Sequence, residues 1–442
     1  MNAITLRNMT ASKEELESEF GKVPVGYDGF TDDQGYLLDN FVLLHGTDCV
    51  WDIAYGRVMK ISHLKISAPI SFKKWQESPG RKWINSDDLV FDPEGKHVGD
   101  HINMFSGIKM VPVSGDAMPI INHLYKLCGG DDAVVDWIIK WIAYPLQNVG
   151  AKMATAVVFH GAEGTGKNIF WDLVCEIYGR WSVQISQSQI ETEFNAWILQ
   201  KLFVLANEVL SNRERKHIKG RLKALITEKS VLINQKNMPI REESNHANFV
   251  FLSNESQPID TDTSDRRLMV VECSEVSTGE YYKELKSKID VEAFYQFLLN
   301  YDLEGFNVHT KPIVTDAKLE LIKQNMRSEQ LFIQQWIDGD IDGVPYETIM
   351  GSILYDAYRC WCYEQGERFP CTNTKFGRAI NDARIDKQRV CFENPQTGRA
   401  DANLRRFVVI VSPLEAVPRL NHWDQIEMHL KSKQISYGMI RT

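Results

Sequence analysis

From residue 131 onward the apolar positions fall into a repeating order. Val134, Val135, Ile138, Ile139 and Ile142 recur at the spacing of one helix face, behind Asp131 and Asp132 as cap and ahead of Pro145 as stop. The run 154–159 is continuously apolar, as a strand buried on both faces must be. A glycine-rich turn follows, then a helix with Ile169, Phe170, Leu173, Val174 and Ile177 on one side and Gly179 at its end. Two further apolar runs, 202–206 and 249–253, each lead into a polar residue. Strands alternating with helices predict an α/β sheet covered on both faces, and such sheets bind ligands at the carboxyl ends of their strands. The polar residues ending the runs are therefore expected to converge on one ligand.

Between the second and third runs, residues 231–241 read as a β-hairpin with Lys236 and Asn237 at its tip. Beyond 344, an amphipathic stretch 349–363, a second short helix 374–383 and two strands, 389–392 and 405–411, read as a winged helix. Lys375, Arg378, Arg384, Lys387 and Arg389 would give it a phosphate-binding face. The first 115 residues carry only short apolar runs among Gly, Asp and Pro, which predicts a mixed or strand-rich accessory region. The expected organisation is an accessory region (1–115), a helical collar (116–150), an α/β core with a helical extension (151–330), a winged-helix domain (331–415) and a tail (416–442).

Composition narrows the class. With 442 residues, 43% of them hydrophobic, the chain can bury a large core. No apolar run reaches the roughly 20 residues that span a bilayer, and the first 20 residues are polar and acidic, so a cytoplasmic protein without membrane contact is expected. Eight scattered cysteines then read as reduced thiols. Cys360 and Cys362 would point apart on a helix, and no paired knuckle accompanies them, so they argue for buried thiols rather than zinc. A net charge of −9 excludes a protein that coats nucleic acid over its whole surface. A local basic run between Arg213 and Lys229 remains, as a nucleic-acid contact or as a solvated helix face.

The chemistry concentrates in residues 161–168, GAEGTGKN, set between a strand and a helix. Gly161, Gly164 and Gly166 permit a tight turn, and the backbone N–H groups from Glu163 through Thr165 to Asn168, with the helix N-terminus, would cradle phosphate oxygens of ATP. Lys167 would neutralise the β and γ phosphates. Asn168 stands where a hydroxyl usually serves Mg²⁺, and its amide oxygen is a neutral substitute. Asn207 and Glu208 follow the second strand; Glu208 would polarise the attacking water and Asn207 would contact the Mg²⁺ shell. Asn254, after the third strand, would sense the γ-phosphate. Arg266 and Arg267 precede an apolar run, either as a surface ion pair or with one of them serving a neighbouring subunit's ATP, a contribution worth about 10³ to 10⁵ in rate.

Over residues 103–411 the order of these pieces resembles the superfamily 3 helicases, most nearly the helicase half of phage, plasmid and poxvirus-type primase-helicases. Residues 163–168 resemble the family's phosphate loop, Asn207 and Glu208 its Walker B pair, Lys236 and Asn237 its channel hairpin, 249–254 its motif C, and Arg266 and Arg267 its arginine-finger site. The resemblance implies an α/β, P-loop AAA+-like core in a homo-hexamer that hydrolyses ATP with Mg²⁺ at subunit interfaces and moves along single-stranded DNA. Activity is expected to survive the departures at Asn168 and Asn207, because Lys167 and Glu208 remain. The roughly 115 residues before the collar are too few for a complete primase domain, so priming would need a separate primase or polymerase. Two other readings stay open: an ATP-dependent initiator or loader, which would prefer a particular duplex, and a nucleotide-binding scaffold, which would bind ATP with negligible turnover.

Overall fold

The computed structural model describes residues 34–207, 215–236, 240–256, 265–412, 418–419 and 421–436, with the side chains of 215–219 outside that set. The chain divides into two units: the first runs to Val314, and the second holds Asp265 and everything from Thr315. The boundary thus falls at 314/315, where the sequence suggested 330/331.

The first unit opens with α1 (Gln34–Asn40), β1 (Phe41–His45), β2 (Cys49–Asp52), β3 (Arg57–Lys60), α2 (Ile61–Ser67), α3 (Phe72–Glu77) and β4 (Trp83–Asn85). The strands form a sheet in the order β3-β2-β1-β4, with β4 alone parallel to its neighbour. Phe41 and Val50 pack with Leu37, Leu64, Phe72 and Trp75 on one face, while Val42, Leu44 and Trp51 close the other. A short parallel pair, β5 (Leu89–Val90) and β6 (Ile102–Asn103), leads on. Phe91 and Phe105 then lodge against Trp181, and Arg180 donates to the Gly56 carbonyl at 2.7 Å, so this region is tied to the core that follows.

The collar consists of α4 (Met118–Leu127) and α5 (Asp132–Gln147). Asp131 caps α5 by accepting from Ala133 and Val134, which answers two of the free N–H groups at a helix start. Pro145 does not stop this helix as expected but sits inside its last turn. Proline removes only one hydrogen bond there, and Pro145 and Leu146 are buried with the collar core.

The core sheet contains β7 (Ala156–Gly161), β8 (Ser182–Ser186), β9 (Phe203–Asn207), β12 (Asn248–Ser253) and β13 (Leu268–Cys273), all parallel, in the order β13-β7-β12-β9-β8. Helix α6 (Lys167–Tyr178) follows β7 and buries Phe170, Trp171 and Val174 completely. Each such side chain removed from water contributes about 1.5–3 kcal/mol. Strand β8 was not anticipated: only Val183 and Ile185 are apolar, because it lies at the sheet edge. A short α7 (Gln187–Glu191) and α8 (Arg215–Thr227) occupy the connections on either side of β9.

The expected hairpin is present as β10 (Ser230–Ile233) paired antiparallel with β11 (Arg241–Ser244). Buried Asn195 grips its first strand, accepting from Asn234 N–H at 2.7 Å and donating to the Leu232 carbonyl at 2.8 Å. Its base is held by Asn245, which donates to the Leu225 and Glu228 carbonyls at 2.9 Å each, and by Lys152, whose ammonium donates to Leu225 at 2.9 Å and to the Ala247 carbonyl. The Lys152 ammonium is enclosed with no charged partner acting on it, and burial pulls its pKa down to about 7. Between about pH 7 and the usual lysine range near 10.5 the unfolded chain therefore binds a proton that the folded chain does not, so this group makes stability rise with pH across that window. Melting followed from pH 7 to 9.5 should show a climb that Lys152→Met flattens; equal slopes would place the ammonium in water.

The first unit closes with α9 (Gly279–Lys288) and α10 (Val291–Leu299). The second unit contains α11 (Asp316–Asn325), α12 (Ser328–Asp338), β14 (Ile349–Met350), α13 (Gly351–Glu364), α14 (Asn373–Asp382), β15 (Asp386–Glu393), β16 (Ala400–Ile410) and α15 (Asp424–Ser436). Its strands form an antiparallel sheet, β14-β16-β15, over a core of Phe332, Trp336, Tyr358, Trp361 and Phe376. Cys360 and Cys362 are buried in that core. Helix α15, which the pattern did not reveal, packs on α13, with Lys433 bridging to Glu364 at 2.9 Å.

Candidate nucleotide site

The parallel sheet brings the carboxyl ends of β7, β12 and β9 level: Ser253 registers with His160, and Leu252 with Asn207. Beyond β7 the chain turns through residues 161–166 into α6. Gly161 (φ +126°), Gly164 (φ +81°) and Gly166 (φ +89°) all adopt backbone that side-chain-bearing residues avoid. Thr165 and Lys167 are buried within the turn, while Glu163 and Asn168 are exposed.

The Lys167 ammonium donates to the Gly161 and Ala162 carbonyls at 2.9 and 2.8 Å and to Thr165 Oγ1 at 3.3 Å. Burial pushes its pKa down, opposed by Cys273 and Glu163. Among the described residues the charge is thus hydrogen-bonded inside the loop only to neutral oxygens, an arrangement that an anion would improve.

Three residues that sequence reasoning missed fix the shape of this loop. His123, on α4, sets Nε2 3.1 Å from the Gly166 carbonyl and Nδ1 3.0 Å from the Tyr281 hydroxyl. Tyr282, the next residue on α9, donates to the Gly164 carbonyl at 2.6 Å. These partners assign the neutral tautomer with hydrogen on Nε2, and burial pushes the His123 pKa down, keeping it neutral. Across a planar trans peptide the C=O and the next N–H point in opposite directions. Holding the carbonyls of Gly164 and Gly166 on the outside therefore turns the N–H groups of Thr165 and Lys167 inward. The tandem Tyr281-Tyr282 was the sole sequence signal, and nothing local connects it to residue 123. Tyr282→Phe removes one hydrogen bond of about 1 kcal/mol, so ATP affinity measured by titration should fall about 5-fold with the melting temperature nearly unchanged. Unaltered affinity would mean that the loop holds its shape unaided.

The remaining predicted residues distribute as follows. Asn207 donates to Gln184 Oε1 at 3.3 Å, while its own Oδ1 is buried without a hydrogen-bond partner among the described residues. Asn254 is exposed just past β12, the strand lying between those that carry Gly161 and Asn207. His160 is buried, and desolvation pushes its pKa down, opposed by Glu272 and by the backbone at Glu255. Glu208 and Asn237 lie outside the described residues; Lys236 is exposed in a turn after β10.

Arg266 and Arg267 precede β13, whose first residue registers with Ala156 and whose last registers with Gly161. They stand at the opposite end of the sheet from the glycine-rich loop, roughly 20 Å away at about 3.3 Å per residue. Arg266 is exposed and Arg267 half-buried. In the basic run, Arg221 turns inward and donates to the Thr192 carbonyl instead of facing solvent. In the second unit Arg378 is exposed, but Lys375 lies 3.4 Å from the buried Glu329 carboxylate and so is not the free phosphate ligand expected. A buried carboxylate needs a cation, and Arg327 at 3.3 Å shares that task.

Residues 159–267 match a family described as a family of unknown function, DUF5906. Over 304 residues the chain is 28% identical to the DNA primase-polymerase of Nitratiruptor phage NrS-1, an alignment covering 65% of this chain and 40% of that protein. The chain thus spans well under half of that relative's length. Apo structures of the NrS-1 C-terminal region superpose with TM-scores of 0.64 and 0.62 at 23% and 21% identity, each covering 84% of this chain and at least 95% of the other. Among the described residues no helix is long and apolar enough to cross a membrane. The chain is homologous to a phage primase-polymerase and shares the mixed α/β fold, with its parallel sheet, of that protein's C-terminal region.

Proposed function

We propose that the chain is an ATP-driven motor of the superfamily 3 helicase type, with a P-loop AAA+-like core, acting on single-stranded DNA in phage or mobile-element replication. The observation that carries this reading is that Lys167, Asn207 and Asn254 all lie at or just beyond the carboxyl ends of neighbouring parallel strands, beside a glycine-rich loop whose Gly164 and Gly166 carbonyls are held by Tyr282 and His123. Gly161, Glu163, Gly164, Thr165, Gly166, Lys167 and Asn168 would bind the ATP phosphates. Lys167 would exchange the loop carbonyls for phosphate oxygens, and Glu208, one residue beyond Asn207, would orient the attacking water. Asn254 would align that water from the strand between.

Mg²⁺ fits the residues present, because the unpartnered Asn207 Oδ1 is a neutral oxygen of the kind hard cations accept. Asn207 and Asn168 would hold it directly or through water, and when bound it would neutralise charge on the transferring phosphoryl group.

The distance of Arg266 and Arg267 from their own loop favours service to a neighbouring copy, and the exposed Arg266 is the better placed of the two. That supports a ring, most simply a homo-hexamer. The hairpin tip at Lys236 and Asn237 would then contact the strand in the channel. The second unit, read as a winged helix, would contribute Arg378 and, where Glu329 allows, Lys375. The neutral pair Asn168 and Asn207 favours one alternative, a scaffold that binds ATP without turning it over.

Steady-state ATPase with Mg²⁺, with and without single-stranded DNA, separates the two. A motor gives stimulation that Glu208→Gln abolishes. Lys236→Ala should retain basal turnover and lose unwinding. ATP binding with no turnover in any protein would leave the scaffold.

A further inference from the structure

The pairing of β15 with β16 sets Arg389 opposite Phe407 and Cys391 opposite Arg405. Residues directly opposite in an antiparallel pair share a face, so Arg389, Phe407 and Arg405 stand on one side of the ribbon. Phe407 is 55% exposed. The next strand over gives way to α13 at Gly351, whose missing side chain would have stood 3.9 Å from Phe407 Cβ, so no side chain covers the residue from that side. The Arg389 guanidinium lies 4.6 Å from the ring centroid.

The charge around the ring is one-sided. Arg389 and Arg405 are exposed, and neither has an acidic partner among the described residues. The ribbon's acids are engaged elsewhere: Glu393 with Arg419, Asp401 with Asn394, and Asp386 with Gln388, each at 2.9 Å. An exposed aromatic ring flanked by Arg405 and by Arg389, which lies over the ring and has no acidic partner among the described residues, suits a polyanion that also offers flat apolar rings. In a duplex the base faces are already stacked on one another, so only an unpaired strand can use the ring.

We propose that Phe407, with Arg389 and Arg405, forms a platform for single-stranded nucleic acid, one unpaired base stacking on the ring while the arginines take the adjacent phosphates. The platform extends the proposed function by a strand-binding surface built within the second unit, and it does not depend on ATP.

The test is fluorescence anisotropy of a labelled oligo(dT) with the full chain, without nucleotide and over a salt series, in a Lys236→Ala background that weakens binding at the hairpin. Phe407→Ala should weaken binding roughly 5- to 100-fold with the slope of log affinity against log salt unchanged, and Phe407→Trp should restore it. Arg405→Ala or Arg389→Ala should reduce that slope by about 0.7 for each phosphate left without its arginine. A blunt duplex of the same length should bind more weakly and ignore Phe407→Ala. Because the ring is exposed, melting should not move. Undiminished binding by Phe407→Ala overturns the proposal. So does recovery with Phe407→Leu, which keeps an apolar side chain but no ring, and so does an equal weakening on duplex, which would mark a phosphate-binding face without stacking. A failure of ATP turnover, by contrast, would count against the motor and leave the platform standing.

Discussion

Lys167→Ala is expected to lower ATP turnover by about 10²–10³-fold or more, the loss typical of removing one preorganised charge from a transferring phosphoryl group. Among the described residues the ammonium has no carboxylate at hydrogen-bonding distance and is held by the Gly161 and Ala162 carbonyls and Thr165 Oγ1, so it can exchange those weak partners for phosphate at little cost. Its removal also unfastens the loop, and nucleotide binding must therefore be measured beside the rate. Weakened binding together with abolished turnover is the expected pair. A variant that binds and turns over ATP as well as the parent would remove residues 161–168 from the site.

Gly161→Ala should be the most damaging Gly→Ala substitution for stability among the described residues. Residue 161 adopts φ +126°, and an added Cβ would fall 2.2 Å from the Cys273 carbonyl oxygen and 2.9 Å from its carbon. Both of these atoms are backbone in the neighbouring strand, so relief requires parting β7 from β13 at their ends. Backbone strain and overpacking each cost about 1–3 kcal/mol, and a loss of roughly 3 kcal/mol, or a fall of about 6–12 °C in melting temperature, follows. Gly129→Ala is the control: φ is +65° there, but nothing lies within 4 Å. If the two variants melt alike, the clash with Cys273 is not what matters.

The sheet was legible because its inner strands are buried on both faces and so read as continuous apolar runs; the hairpin was legible because its polar tip interrupts two short strands. Edge strand β8 escaped because half its residues face solvent, leaving Val183 and Ile185 as its only apolar positions. Helix α15 escaped because its apolar side chains do not gather on one face: Leu430 is buried, while Met428 and Ile435 are exposed. The loop and Lys167 could be read because the chemistry lies in one contiguous segment. His123 and Tyr282 could not, being 43 and 118 residues distant from the carbonyls they hold. The ion pair of Lys375 could not be read for a related reason: its partner Glu329 lies on another helix and is buried.

The separation of Arg266 from its own glycine-rich loop carries an arithmetic of its own. If ATP is cleaved between copies, each competent junction takes its loop from one chain and its arginine from the next. Two inactive proteins, one lacking Lys167 and the other lacking Arg266, would then regain part of their activity on mixing, because some junctions would inherit the intact half of each. A catalyst contained within a single chain could never be repaired in this way.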